Sequence, residues 1–377
     1  MARPVETHNR MLGSSDSLGQ WEHVPSRLAF EGSDHTPPLV TIAITTFRRP
    51  GFLLESVQSV LALRTPVPLE LIVLDNDPDS AGAAALLARF PELQDRRFRY
   101  YVNVENIGMY GNVNRCISLA TGEWLSILHD DDLLREDFLE EAFAVIDATA
   151  GVDGVVAQQS IWDQRPHPPL MWPDSEAMSL RLAGRLVRDG RRGWRNLIGR
   201  LFRRATTIGA DLARHHRWAG RASRRVRPRT LFWGPVLGNT SGFLFRTKAA
   251  KALGGFDPEE FPASDLYFYA RFAARFHLRQ LRAMASTYRV AENESLKLST
   301  ALDALWWVAR LQRELADYHP RWWRWIAPLA MERWRNLYRD HWRIDIAKAD
   351  LETLIGMRLP KDRPRLIFIL RLMLHGL

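Results

Sequence analysis

The sequence predicts an α/β fold built on a doubly wound, mostly parallel sheet flanked by helices. Three observations carry that expectation. Four β-α pairs follow one another in the first 150 residues, the alternation that builds parallel sheets through helical crossovers. The strand candidates are short, apolar and rich in β-branched residues, as strands covered on both faces are. Two of them end in acidic residues, Asp75-Asn76-Asp77 and Asp130-Asp131-Asp132, at the strand ends where open α/β sheets bind ligands.

Taken in order, residues 1–36 mix polar, Gly and Ser residues, which predicts a flexible arm with little structure and no secretory signal. Pro37-Pro38 then introduces Leu39 to Phe47, L-V-T-I-A-I-T-T-F, a strand. Arg48-Arg49-Pro50-Gly51 turns the chain, and Phe52, Val57, Val60 and Leu61 recur at helical spacing. A second strand covers Leu69 to Leu74, with a small-residue helix from Ala81 to Arg89. The third strand, Phe98 to Val102, passes through the turn Asn106-Ile107-Gly108 to a helix near Asn112 to Ala120. Thr121-Gly122 stops that helix, and Trp124 to Leu128 is the strand that ends in the Asp triplet. An amphipathic helix from Glu136 to about Ala148 and a strand from Gly154 to Gln159 complete the first half.

The rhythm breaks between Gln164 and Trp233. From Arg165 to Arg229 the chain holds seventeen Arg, no Lys and four acids, a local charge of +13, so the remainder of this +9 protein sums to −4. Within the segment Trp194, Leu197, Ile198, Leu201 and Phe202 share one helical face, with Arg195, Arg200, Arg203 and Arg204 flanking or opposing it. Such a basic amphipathic helix either packs its apolar face on the domain or lies on an acidic surface, anionic lipid first and nucleic acid second. No zinc spacing, RNP motif or heptad-linked basic region supports nucleic acid.

Strand character returns in Gly238 to Arg246, followed by a short helix to Leu253. An aromatic helix runs from Leu266, L-Y-F-Y-A-R-F-A-A-R-F, with its N-cap at Ser264 or Asp265 as the alternative to a functional role for Asp265, and Leu278 to Val290 supplies one or two strands. From Leu296 onward the sequence reads as helical, with seven of the fourteen Trp between Trp306 and Trp342. Trp mixed with Arg suits a helical core, a membrane-water boundary or a sugar-stacking wall. The apolar, basic tail from Arg365 to Leu377 is too short to span a bilayer and suits either surface anchoring or a buried closing helix. The chain thus divides into an arm (1–36), an α/β domain (37–295) carrying the basic insertion (164–233), and a Trp/Arg-rich helical region (296–377).

Bulk composition narrows the setting. The single cysteine, Cys116, forms no intramolecular disulfide and suits a reducing compartment. No stretch of eighteen uncharged apolar residues is present, so a cytoplasmic protein is expected, at most peripheral on the inner face of the membrane. Three adjacent carboxylates resist burial together unless something offsets their charge. A hard divalent cation does so, since Mg²⁺ and Mn²⁺ take carboxylates together with substrate phosphates. The alternative is a solvated acidic turn that caps the helix near Glu136.

The order of these motifs resembles the family 2 glycosyltransferases of the GT-A (Rossmann-like) fold. The resemblance rests on V-T-I-A-I-T-T-F, L-I-V-L-D-N-D, N-I-G-M-Y-G-N-V-N-R-C-I-S-L-A-T-G-E-W, L-H-D-D-D, and G-G-F-D with P-A-S-D-L-Y-F-Y-A-R, spread over about residues 38–295. It implies that Thr45 and Phe47 hold the nucleotide base and that Asp75 and Asn76 hydrogen-bond base and ribose. It also implies that Asp130 to Asp132 form the metal motif, with Asp130 toward the nucleotide and Asp131 and Asp132 toward Mn²⁺ or Mg²⁺. Asp265 falls at the general base. This chain has Asn76 where the family more often has Asp, and His129 where an Asp often opens the metal motif. The expected function is inverting sugar transfer from a nucleotide-sugar, a UDP-sugar by preference, to a hydroxyl of a surface polysaccharide or lipid-linked glycan. Two other readings remain open on the sequence: a sugar-nucleotide pyrophosphorylase, for which Arg48-Arg49-Pro50-Gly51 is a poor phosphate loop, and a non-enzymatic binder of nucleic acid or lipid surfaces.

Overall fold

The computed structural model describes residues 16–165, 222–233, 237–291, 293, 296–316 and 323–359. The strands are β1 (Ser26–Glu31), β2 (Val40–Thr46), β3 (Leu69–Asp75), β4 (Phe98–Asn103), β5 (Trp124–His129), β6 (Leu133–Leu134), β7 (Gly154–Asp163), β8 (Ser223–Val226), β9 (Phe243–Arg246) and β10 (Leu278–Val290). The helices are α1 (Pro50–Leu61), α2 (Gly82–Arg89), α3 (Gly108–Leu119), α4 (Phe138–Ala148), α5 (Thr247–Ala252), α6 (Ser264–Arg275), α7 (Leu298–Ala316), α8 (Trp323–Leu337) and α9 (Lys348–Ile355). The strands join in the order β1-β4-β3-β2-β5-β9-β7-β10-β6, with β8 also paired to β10. β4, β3, β2 and β5 run parallel, as do β7 and β10, while β9 enters antiparallel between β5 and β7. The α/β fold with its mixed, mostly parallel sheet is the one the sequence predicts.

The central strands are covered on both faces, and every residue of β2 is buried. Because side chains alternate along a strand, each strand feeds two cores. Ile42, Ile44 and Val73 face one layer with Val57 of α1, Leu86 of α2 and Phe138 of α4. Ala43, Ile72, Leu74 and Ile127 face the other with Ile117 of α3 and Phe268 and Phe272 of α6. Trp307 and Leu311 of α7 join this second core, and a third cluster packs α7 against α8 and α9 through Leu305, Met331, Trp334 and Leu351. Of the Trp residues in the helical tail, Trp307 and Trp334 are therefore core residues.

Several expectations are corrected. Residues 16–36 are not without structure: β1 adds to the sheet edge, antiparallel to β4, with Ser26 opposite Asn103. Part of the basic insertion, β8, is a strand on β10, with Arg225 opposite Arg279. Leu278 to Val290 is a single strand, and only the last four residues of the Gly238–Arg246 stretch are extended. The N-cap of α6 is Ala263, so Ser264 and Asp265 lie inside its first turn. The amphipathic face from Trp194 to Phe202 and the tail from Arg365 to Leu377 lie outside the described residues. Among the described residues, no helix is long and apolar enough to cross a membrane.

The loop that leads into α6 is held by a buried ion pair. Arg271 Nη1 and Nη2 donate to Glu260 Oε1 and Oε2 at 2.6 and 2.9 Å, with Glu260 fully covered. Removing either partner strands the other charge. Glu260→Ala or Arg271→Ala is expected to cost about 3–5 kcal/mol in urea unfolding, and the double variant Glu260→Leu/Arg271→Met far less than the sum. Additive losses would show that the two residues are not coupled.

Candidate functional site

The parallel register gathers the polar strand ends on one edge. Thr46 of β2 stands opposite Asp75 of β3, and Thr45 opposite His129 of β5. Thr45, Phe47, Asp75, Asn76 and Asp130 to Asp132 all lie at or just beyond this edge.

The Asp triplet is no solvated turn, since Asp130 and Asp132 are buried. Its backbone is drawn tight by Ser56 of α1, whose hydroxyl shares its proton between the carbonyl oxygens of Asp130 and Asp132 at 2.6 and 2.7 Å. The three carboxylates are then treated differently. Asp132 Oδ2 accepts from Asn239 Nδ2 and Ser241 Oγ, both at 2.6 Å, and Oδ1 accepts the Arg289 N–H at 3.0 Å. Asp130 Oδ2 accepts from Thr46 Oγ1 at 2.7 Å. Asp131, partly exposed, has Arg49 Nη1 at 2.9 Å from its Oδ2, and the same nitrogen lies 3.8 Å from Asp130 Oδ1.

Burial raises Asp130 to about 6, opposed by the Thr46 hydrogen bond and helped by the charge of Asp131. Burial and then Asp131 also raise Asp132, against the donors from Ser241, Asn239 and Arg289. Burial thus disfavours the charged form of two of the triplet's carboxylates, a condition that a cation relieves. Among the described residues, no three His, Cys, Asp or Glu side chains converge into a ready-made cage. The donor set instead fits a cation held by one or two carboxylates and completed by phosphate oxygens.

Two further pieces complete this wall. Arg289, 1% exposed, donates from Nε to the Asp131 carbonyl at 2.8 Å and from Nη2 to Glu55 at 2.6 Å. Its guanidinium lies between the rings of Phe52 and Trp162, 4.7 and 4.6 Å from their centroids. The turn ahead of β9 supplies Asn239 and Ser241, and it depends on Gly242. At φ 86° this residue holds a left-handed backbone, and a Cβ there would meet Ser286 Oγ at 2.5 Å.

Asp265 lies in the first turn of α6. It is partly exposed, yet packed closely enough that desolvation raises it to about 6, opposed first by its hydrogen bond from the Leu266 N–H at 2.7 Å. His129 is near enough to lower both Asp265 and Asp130 by its charge, and its Nε2 lies 3.1 Å from Thr240 Oγ1. Tyr269 of α6 donates to the Asn239 carbonyl at 2.9 Å, tying the Asp265 helix to the loop that grips Asp132.

At the end of β3, Asp75 accepts from Tyr100 Oη at 2.6 Å, from Ser80 Oγ, and from the Asp77 N–H at 2.9 Å. Phe47 is 39% exposed, with Arg48 over its ring at 5.0 Å. Asn76 behaves otherwise. Its Oδ1 accepts from Asn103 Nδ2 and the Ile107 N–H, and its Nδ2 donates to Asn106 Oδ1 and the Gly108 carbonyl. A buried amide with both ends engaged organises the 106–108 turn. Thr46, Ser56, Asn239, Ser241 and Arg289 carry no signal in the sequence, and Arg49 enters there only within the poor phosphate loop Arg48-Arg49-Pro50-Gly51.

The sequence model described as Glycosyl transferase family 2 matches residues 41–250. An uncharacterized glycosyltransferase of Methanocaldococcus jannaschii is 27% identical over 117 residues, 31% of this chain and 40% of that protein. The succinoglycan biosynthesis protein ExoM of Rhizobium meliloti is 30% identical over 102 residues, 26% of this chain and 32% of that protein. The matched stretch thus spans less than half of either relative. Among solved structures, S. aureus TarS 1-349 in complex with UDP-GlcNAc superposes with a TM-score of 0.51 at 13% identity, covering 79% of this chain and 72% of that one. That likeness is one of fold.

The unequal treatment of the triplet has a measurable consequence. Asp132→Ala leaves three donors without their acceptor, at about 1–3 kcal/mol for each group stranded in the interior, and should lower Tm by several degrees. Asp131→Asn removes a like charge beside two buried carboxylates and should leave Tm unchanged or raised. Equal losses in a thermal melt would contradict the division.

Proposed function

The chain belongs to glycosyl transferase family 2, and on that premise we propose an inverting transferase that moves a sugar from a nucleotide-sugar donor to a hydroxyl acceptor. One observation carries the reading. His129 at the end of β5 acts by its charge on both Asp130 and Asp265, which come from distant segments of the chain, and this supports the two carboxylates serving one donor. A donor lying between them would present its diphosphate to one wall and its anomeric carbon to the other.

Asp265 then has a defined task. As the acceptor oxygen forms its bond to the anomeric carbon, the carboxylate takes the hydroxyl proton, and the bond from that carbon to the phosphate oxygen breaks with its electron pair leaving on the nucleoside diphosphate. A single in-line displacement inverts the anomeric centre. Mn²⁺ or Mg²⁺, held by Asp131 with Asp130 beside it and by the donor's phosphates, would stabilise the negative charge that develops on the leaving group. Asp132 is better suited to anchoring than to ligation, because its oxygens are already engaged by neutral donors.

For the nucleotide, the exposed ring of Phe47 and the Asp75 carboxylate, which takes a single hydrogen bond on Oδ1, support base recognition, with Thr45 beside them. Asn76 supports it only through the turn it holds. A UDP-sugar is the favoured donor, in keeping with the family motif at Asp75 and with the fold neighbour solved with UDP-GlcNAc. The succinoglycan biosynthesis relative supports a surface polysaccharide as acceptor. The charge of the 164–233 insertion supports peripheral contact with anionic lipid on the cytoplasmic face. Family membership leaves the pyrophosphorylase and nucleic-acid readings without an observation in their favour.

A panel of nucleotide-sugars with Mn²⁺ or Mg²⁺, scored by thermal shift and donor hydrolysis, tests the reading; no metal-dependent response to any donor would end it. Asp265→Asn should lower kcat by about 10²–10⁴ with nucleotide affinity retained. Because burial raises this group to about 6, it is protonated and inactive below that pH. The wild-type rate should therefore climb through about pH 6, and a flat profile from about pH 5 to about pH 7 would remove Asp265 from the base role.

A further inference from the structure

Two arginines hold the Asp motif, and they differ in freedom. Arg289 is locked: 1% exposed, sandwiched by Phe52 and Trp162, and bonded to Glu55 and the Asp131 carbonyl. Arg49 is not. Its side chain is 40% exposed, and it projects from the residue before Pro50, ahead of the first turn of α1. Its hydrogen bonds and ion pairs run to the carboxylates of Asp131 and Asp130. The oxygen it touches at 2.9 Å, Asp131 Oδ2, belongs to the carboxylate best placed to bind a cation. Asn293 Nδ2, at 3.4 Å, is its other neighbour and carries no charge.

We propose that Arg49 is a displaceable stand-in for the divalent cation: it neutralises Asp131 in the metal-free protein and passes to the donor's diphosphate when a cation takes Asp131 Oδ2. The proposal rests on the family 2 reading and assigns Arg49 a positioning role that the motif comparison did not. The physical basis is charge balance. One guanidinium beside two carboxylates leaves the pair net negative; a divalent cation neutralises both, and the freed guanidinium then faces an incoming diphosphate whose planar oxygen pairs it matches. The Arg49–Asp131 pair, with 40% and 14% of its two side chains exposed, exchanges more readily than the buried contacts of Asp132. Metal and nucleotide binding are thereby coupled, each favouring the other by the same factor.

The test uses the full chain and three titrations: Mn²⁺ alone, followed by the paramagnetic signal of free Mn²⁺; UDP or GDP with saturating Mn²⁺; and the same nucleotide without metal. Relative to wild type, Arg49→Ala is expected to bind Mn²⁺ alone about tenfold more tightly and the nucleotide with Mn²⁺ about tenfold more weakly, with metal-free nucleotide binding unchanged. Arg49→Lys, which keeps the charge but not the forked geometry, should fall between. Unchanged or weaker Mn²⁺ binding in Arg49→Ala overturns the stand-in role. Equal weakening of nucleotide binding with and without metal overturns the hand-over and leaves only a general charge effect. If Asp131→Ala retains wild-type Mn²⁺ binding, or the wild type binds neither nucleotide, the family 2 site assignment itself fails, which is a separate result.

Discussion

Consecutive carboxylates at the end of a buried strand repel each other and lose hydration together, and the site is arranged around that difficulty. Each carboxylate meets a different answer. Asp132 is surrounded by neutral dipoles from the 239–241 turn and β10. Asp130 takes the Thr46 hydroxyl from the neighbouring strand, and Asp131 takes an exposed arginine. Supplying these partners requires α1, β2, the turn before β9 and the end of β10 to converge on one strand end. The proposed cation would offset the charge that burial disfavours on these carboxylates.

How much was legible follows from where each signal resides. The parallel strands announce themselves because both their faces are covered, so β2, β3 and β5 read as continuous apolar runs. β1 does not, because an edge strand with four of its six residues exposed carries no buried apolar run, and S-R-L-A-F-E looks like any surface stretch. β8, Ser-Arg-Arg-Val, is hidden in the Arg excess around it. In the site, the Asp triplet and Asp75 were visible as charge where a strand stops. The second layer was not. Arg289 reaches Asp132 across 157 residues and Asn239 across 107, and no local pattern encodes such meetings. Asn76 shows the limit from the other direction: its motif position suggests a ligand contact, but Asn103 and the 106–108 turn engage both ends of its amide.

The Trp-rich helices belong to the same argument. Trp307 packs edge-on against Tyr267 of α6, and its indole N–H donates to the Phe261 carbonyl at 3.1 Å in the loop ahead of Asp265. Tyr338, at the end of α8, is raised mainly by burial and in part by the Asp265 charge. Helix α7 thus packs beside the proposed base, and Trp307 helps to place α6.

That packing bears on the role proposed for Asp265. A carboxylate open to water sits near pH 4 and is a poor proton acceptor; one buried without help stays protonated at neutral pH. Asp265 lies between these limits. Desolvation by α6 and its neighbours pushes it up, and Tyr110, itself raised chiefly by its own burial and then by the Asp265 charge, marks how closely the group is enclosed. The first turn of α6 pushes back: its positive end and the Leu266 N–H favour the ionised form. Had Asp265 been the N-cap, its oxygens would have been spent on the helix's free N–H groups. As the second residue of α6, two positions beyond the Ala263 cap, the carboxylate keeps the dipole's support and still has an oxygen for the proton of the proposed acceptor.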